Sequence, residues 1–448
     1  MFTRNATTNL NRWAEKENRK PLIIRGARQV GKTTLIHEFG KKFDNYLYLN
    51  LDNVEAANIF KTINHVDMVL TAIHLFCNKT KKAGKTLLFI DEIQNSPQAI
   101  SILRYFYEDK PELFVIAAGS LLESLIDISI SFPVGRVEYM AIHPCSFPEF
   151  LGAIGENELQ KALMEGSIPE PIHTKTMSLF NTYTLIGGMP EVIQHYAKHK
   201  DLIAINDIYE SLLTGYKDDV EKYSHNRSMT QVIRYILSEG WTFAAQTVTL
   251  GGFAGSSYKS REVGEAFRTL EKTMLLELVY PTLNYQIPIN TDLKRAPKLI
   301  WLDTGLVNYS AKLQKEVFGA SDIQDAWRGK IAEQIVAQEL IASDYRVSSK
   351  RAFWIRDKKG SQAEVDYVIQ YDNKLIPIEV KSGHNSKLKS LHIFMDTTTH
   401  TTAIRVWSKP YSIDKVTAPS GKAFTLHNIP FYYVGILEKI IEGTELQV

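Results

Sequence analysis

The sequence predicts an α/β fold: a parallel-sheet core, then a helical stretch, a small module and a second α/β unit. Three observations predict it. Short apolar runs alternate with amphipathic stretches from Pro21 to about Pro144, the first run leads directly into a glycine-flanked Gly-Lys-Thr segment, and a later run ends in Asp91-Glu92. A parallel sheet covered by helices accounts for all three.

Within the core, residues 1–150, the strand candidates are PLIIRG, YLYLNLD, TLLFIDE, LFVIAAGS and VEYMAIH. Residues 151–227 turn mostly helical, interrupted at Ile168-Pro169-Glu170-Pro171 and at Gly187-Gly188-Met189-Pro190, which suggests a helical lid. Residues 228–320 open with a helix, a Gly251–Gly255 loop and a second helix, with Ser260 as N-cap and Val263, Phe267, Leu270, Met274 and Leu278 at helical spacing. That arrangement fits a winged-helix-like module, or equally an extension of the lid. Residues 321–448 hold one helix and three strand-like runs, AFWIRD, AEVDYVIQY and KLIPIEVKSG.

Composition narrows the function classes. The chain has 448 residues, 44% hydrophobic and 23% charged, enough apolar material for several packed cores. A net charge of +2 gives no global attraction to nucleic acid or membrane, so any such partner needs a local basic surface. Cys77 and Cys145 supply neither a disulfide framework nor a cysteine-based zinc site, and no segment approaches the roughly 20 apolar residues of a membrane span. A cytoplasmic protein with no membrane contact is expected.

The segment Gly26, Ala27, Arg28, Gln29, Val30, Gly31, Lys32, Thr33 fits GxxxxGK[ST], and Thr34 follows it into the helix. Its glycines let backbone N–H groups turn toward phosphates at a helix start, where the dipole favours an anion. Lys32 then reaches the β- and γ-phosphates of ATP, and the Thr33 hydroxyl ligates Mg²⁺. Leu87–Ile90 form an all-apolar run ending in two acids, and adjacent carboxylates there are costly unless used. Asp91 is expected to hold Mg²⁺ through water, and Glu92 to orient and deprotonate the attacking water. An exposed acidic turn is the bland alternative.

Ser120 ends the next apolar strand and could contact the γ-phosphate or attacking water; an ordinary helix cap is the competing reading. Arg136 precedes VEYMAIH and could complete another subunit's site, or form a surface ion pair. These residues together resemble the AAA-type ATPases, a likeness that makes Ser120 the first sensor and Arg136 the arginine finger and is compatible with a homo-oligomer. The stretches GRVEYMAIHPCSFPEF and GGMPE are similar to a bacterial and archaeal group in which an AAA-type core precedes a C-terminal domain of unknown function related to PD-(D/E)XK nucleases. One departure stands out: no lid arginine is identified as a second sensor.

Period-two alternation orders the last unit. Val365, Tyr367 and Ile369 share one face and Glu364 and Asp366 the other, while Glu379 and Lys381 oppose Ile376, Ile378 and Val380. With Asp372-Asn373 as a two-residue turn, residue 371 pairs with 374, and Asp366 falls across from Glu379 and Glu364 across from Lys381. Opposed carboxylates about 5 Å apart call for a cation between them. Mg²⁺ there, with Lys381 helping a bound water lose its proton, would equip the domain for phosphodiester hydrolysis. The spacing resembles the PD-(D/E)XK signature; Glu333 matches the helix acid such nucleases add, and Glu339 is a rival that periodicity does not eliminate. Lys381 simply pairing with Glu364 is the bland alternative. Lys350, Arg351, Arg356, Lys358 and Lys359 could hold phosphates or be solvated surface.

The expectation is therefore an ATPase whose nucleotide cycle controls a metal-dependent, nuclease-like domain acting on DNA. The competing class is an ATP-regulated switch whose degenerate C-terminal domain binds protein or nucleic acid without cutting.

Overall fold

The computed structural model describes residues 2–62, 65–120, 133–224, 226–312, 329–357, 363–382 and 388–445. The first sheet has five parallel strands, β1 (Leu22–Arg25), β2 (Asn45–Asn50), β3 (Thr86–Asp91), β4 (Phe114–Gly119) and β5 (Glu138–Ala141), in the order β2-β3-β4-β1-β5. Helices cover both faces, which is why β3 and β4 read as continuous apolar runs: Leu87, Phe89, Phe114 and Ile116 join one core and Leu88, Ile90, Val115 and Ala117 the other. The order places β4 between β3 and β1, so the carboxyl ends of all three lie together, where parallel sheets of this kind bind ligands. Ile90 pairs with Ala117, and Arg25 with Gly119.

A helical stretch follows, with helices Phe147–Ala153, Asn157–Glu165, His173–Ile186, Pro190–His199 and Asn206–Asp218. Next come the helices Arg227–Glu239 and Ser260–Lys272, with β6 (Gln246–Thr247), β7 (Leu276–Thr282) and β8 (Lys298–Trp301). Two sequence expectations are corrected here. Ser260 is the first helical residue and Lys259 holds the cap position, its N–H donating to the Glu262 carboxylate at 2.8 Å. The helix stops at Lys272, Met274 adopts a left-handed φ of 61°, and Leu278 lies in β7. β7 is buried along almost its whole length, so its apolar run imitated helical spacing.

The remaining strands are β9 (Ala352–Ile355), β10 (Glu364–Tyr371), β11 (Lys374–Val380), β12 (Thr402–Trp407), β13 (Ser412–Thr417) and β14 (Ala423–Pro430). They join β6 to β8 in one nine-stranded sheet, ordered β13-β14-β12-β11-β10-β9-β7-β8-β6. The junction is the parallel pairing of β7 with β9, Tyr280 opposite Ala352. One sheet thus runs across the predicted boundary at 320 and 321, residues that lie outside those described. No helix among the described residues is long and apolar enough to cross a membrane.

Candidate nucleotide site and C-terminal carboxylate cluster

β1 delivers the chain into the loop Gly26–Gly31, and the helix Lys32–Gly40 leaves from it. A Cβ on Gly26 would fall 2.4 Å from the Ile142 carbonyl, so the loop can pass β5's continuation only as glycine. Gln29 and Gly31 take left-handed φ of 62° and 88°, the kind of backbone turn from which anion-receiving concave loops are built. Lys32 is only 7% exposed and its Nζ donates to the carbonyls of Gly26 and Ala27 at 3.0 and 2.8 Å. Burial draws its amine down to about 8, against the opposing pull of Glu92 and Asp91.

The two motifs meet. Thr33 Oγ1 donates to Asp91 Oδ2 at 2.7 Å, joining the start of the helix to the tip of β3. Glu92, itself in a left-handed conformation, donates its N–H to Asp91 Oδ1 and takes a hydrogen bond from Gln94 Nε2 on its carboxylate. Ser120 lies directly past the end of β4, buried, with no hydrogen-bond partner for its hydroxyl among the described residues.

A cavity of about 870 Å³ opens over this loop, lined by Gln29, Gly31, Lys32, Thr33, Thr34 and Glu92 among others. Its far wall was not anticipated: Phe2, Thr3, Arg4 and Thr7 come from the N-terminal segment and Pro190, Glu191 and Gln194 from the helix Pro190–His199. Arg4 is a strut within it, donating to the Val30 carbonyl at 2.9 Å, the His143 carbonyl at 2.7 Å and Glu149 at 3.0 Å. The only available signal was the GGMPE stretch itself, whose proline begins the wall helix. Arg28 is held by an ion pair with Asp219, at the end of Asn206–Asp218. Arg136 does not line the cavity; half-exposed, it pairs with Glu108 at 3.1 Å.

The Gly187–Met189 turn that places this wall is fastened by Asp303, fully buried just past β8. Its carboxylate accepts the N–H of Gly188 and, at 3.0 Å, that of Leu306 in its own helix. A Cβ at Gly187 would sit 2.2 Å from it, so no side chain fits there. Burial raises the Asp303 carboxyl to about 6, opposed by these N–H donors.

In the C-terminal sheet, Asp372 and Asn373 take left-handed φ of 41° and 56° and Tyr371 pairs with Lys374, the two-residue turn and register read from the sequence. The side chains then depart from the expected cross-strand pairs. Asp366 Oδ2 accepts the Val380 N–H at 2.7 Å, and Lys381 donates to Glu379 Oε1 at 2.7 Å rather than reaching Glu364. Glu364 pairs instead with Lys298 of β8 at 2.6 Å. The reason is that β8, two strands beyond β9, sends a long side chain under β10, which a two-strand argument omits.

Glu333 and Glu339 separate cleanly. Glu333 joins Glu364 and Asp366, with carboxylate oxygens from all three within 4.8 Å of one another. Glu339 is fully buried elsewhere, accepting the Phe147 N–H at 3.1 Å and the Tyr183 hydroxyl at 2.6 Å. In the cluster, burial and then the Asp366 charge push Glu333 up, and the same two causes push Glu379 up. Lys298 stays charged because the acids' attraction outweighs its burial. Of the basic residues, Lys350 pairs with Glu271 and Arg351 with Glu277, Arg356 is exposed, and Lys358 and Lys359 lie outside the described residues.

Residues 18–151 match a family described as AAA domain, residues 177–317 a domain of unknown function (DUF8612) and residues 328–420 another (DUF4143). No curated protein matches the chain. Among solved structures it is similar to the Walker-type ATPase PABY2304 of Pyrococcus abyssi, at 13% identity and TM-score 0.42, covering 69% of this chain and 96% of that one. It is also similar to PCH-2 of C. elegans, at 12% identity and TM-score 0.27, covering 43% and 58%. The family match falls on the five-stranded sheet whose loop and acidic tip have just been described, and residues 18–151 are an AAA-type P-loop ATPase domain.

Proposed function

We propose that the chain binds ATP with Mg²⁺, hydrolyses it, and uses the nucleotide state to set the position of its C-terminal sheet. The observation that carries the reading is the 2.7 Å hydrogen bond between Thr33 and Asp91, which brings both halves of the site to one point. Thr33 and, through water, Asp91 would hold the metal, whose charge offsets that developing on the phosphate oxygens. Lys32 binds the β- and γ-phosphates, Glu92 takes the proton of the attacking water, and Ser120 supplies its uncommitted hydroxyl to the γ-phosphate or that water. Arg136, outside its own cavity, would serve a neighbouring copy. Asp303 supports the coupling: it fastens the turn leading to the cavity wall and sits two residues beyond β8 of the nine-stranded sheet. The test is ATP affinity with and without Mg²⁺. Wild type should gain at least roughly tenfold from the metal, and Thr33→Ala should lose that gain; equal gains in both proteins would refute the assignment.

A second reading is favoured by the convergence of Glu333, Glu364 and Asp366: a metal-dependent nuclease acting on DNA, with Glu379 as a further ligand and Lys381 as proton-transfer aid. It predicts DNA cleavage with Mg²⁺ or Mn²⁺ that Asp366→Asn abolishes. Intact DNA under all conditions, with and without ATP, would leave the non-cleaving switch.

A further inference from the structure

Lys298 stands at the centre of the carboxylate cluster, although it belongs to β8 and the acids to a later part of the chain. Its Nζ lies 2.6 Å from Glu364, 2.9 Å from Glu333 and 3.7 Å from Asp366. The residue is only 2% exposed, and the ammonium also faces the rings of Phe353 and Tyr367 at 5.0 and 5.7 Å. A lysine is seldom buried to this degree unless it is paired. The stem cannot wander, because β8 pairs on both sides, Lys298 opposite Val279 of β7 and Thr247 of β6.

Carboxylates this close repel and require a positive charge among them. Either a hard divalent ion or an ammonium satisfies that need, but the two want the same space. Here Lys298 hydrogen-bonds Glu333 at 2.9 Å and forms an ion pair with Glu364 at 2.6 Å. Glu379, the remaining acid, spends Oε1 on Lys381 and keeps Oε2 buried without a partner among the described residues.

We propose that Lys298 is the resident cation of this cluster and holds the place a divalent metal would take, so that the two compete. The chain would then bind no metal through Asp366 while β8 keeps its position. An ammonium cannot activate water as a metal ion does, so the cluster acts as a charged joint between β8 and the C-terminal strands. The inference rests on the geometry of the cluster and not on the ATPase reading.

Mn²⁺ uptake by the nucleotide-free full chain, followed through the electron-spin signal of free Mn²⁺, tests it without using ATP turnover. Wild type and Asp366→Asn should take up Mn²⁺ equally. Lys298→Met should take up one further ion per chain, lost again in Lys298→Met/Asp366→Asn. Since Lys298→Met leaves the acids uncompensated and could fail to fold, Lys298→Met/Glu333→Gln removes one charge of each sign and keeps Glu364, Asp366 and Glu379. It should gain the same ion, with folding checked by its thermal transition. Asp366-dependent uptake by wild type would overturn the proposal, as would folded variants that gain nothing.

Discussion

Two buried lysines, Lys32 and Lys298, show how differently one side chain can be used. The fixed partners of Lys32 are two backbone carbonyls of its own loop, and burial draws its amine down to about 8. Lys298 has three carboxylates around it and is held charged despite burial. Carbonyls solvate a cation without cancelling it, so Lys32 keeps charge that the proposed nucleotide site would offer a phosphate. Lys298 is already matched by acids. The first arrangement suits a site that exchanges an anion, and the second suits a permanent fixture.

The largest effect should come from the exchanging lysine. Lys32→Ala is expected to slow ATP hydrolysis at least about 10³-fold, roughly 4 kcal/mol of transition-state stabilisation. Unchanged turnover would end the contrast at once. Glu92→Gln sharpens it by separating binding from chemistry. ATP affinity should stay within a few-fold of wild type while turnover falls about 10²–10⁴-fold. Equal turnover would move the base to another residue.

The matched lysine should show itself in stability. Lys298→Met leaves three close acids without their cation, and breaking such a buried pairing costs about 3–5 kcal/mol. Denaturant unfolding should show that loss and its partial recovery in Lys298→Met/Glu333→Gln. A variant as stable as wild type would mean that the acids are screened by water and that Lys298 is not their fixed partner.

The same contrast explains what could be read in advance. The phosphate-loop motif and Asp91-Glu92 are each contiguous, and a parallel sheet leaves the loop after β1 and the tip of β3 one place to meet, so the contact of Thr33 with Asp91 was legible. The β10–β11 hairpin was legible for a similar reason, its register following from a two-residue turn. Lys298 was not. It reaches Glu364 only because β7 pairs with β9 across a long stretch of sequence, and local alternation carries no information about that pairing. The wall residues Phe2, Thr7 and Gln194 were hidden likewise, since nothing marks a threonine or glutamine as facing a cavity until two helices are placed over it. β13 was missed for another cause: its sequence SIDKVT is an exposed edge with no apolar face to declare it.

Glu333 and Glu339 bring the comparison into a single helix and give the smallest predicted effect. Six residues apart, one faces a lysine and the other, among the described residues, faces none, which periodicity could not tell. Among the described residues Glu339 has only neutral donors, the Phe147 N–H and the Tyr183 hydroxyl, and burial lifts its carboxyl to about 7 in spite of them. Its folded-state value thus lies above that of the unfolded chain, so the fold binds this proton more tightly. The associated stability is complete below about pH 4.5 and is lost as pH rises through 7. A glutamine can accept the same two hydrogen bonds with its carbonyl oxygen and has no proton to lose. Relative to wild type, Glu339→Gln should therefore become progressively more stable between pH 5 and pH 8, by on the order of 2–3 kcal/mol, in urea unfolding followed across that range. A constant difference between the two proteins would show that Glu339 has a compensating charge nearby, making both acids of the helix alike.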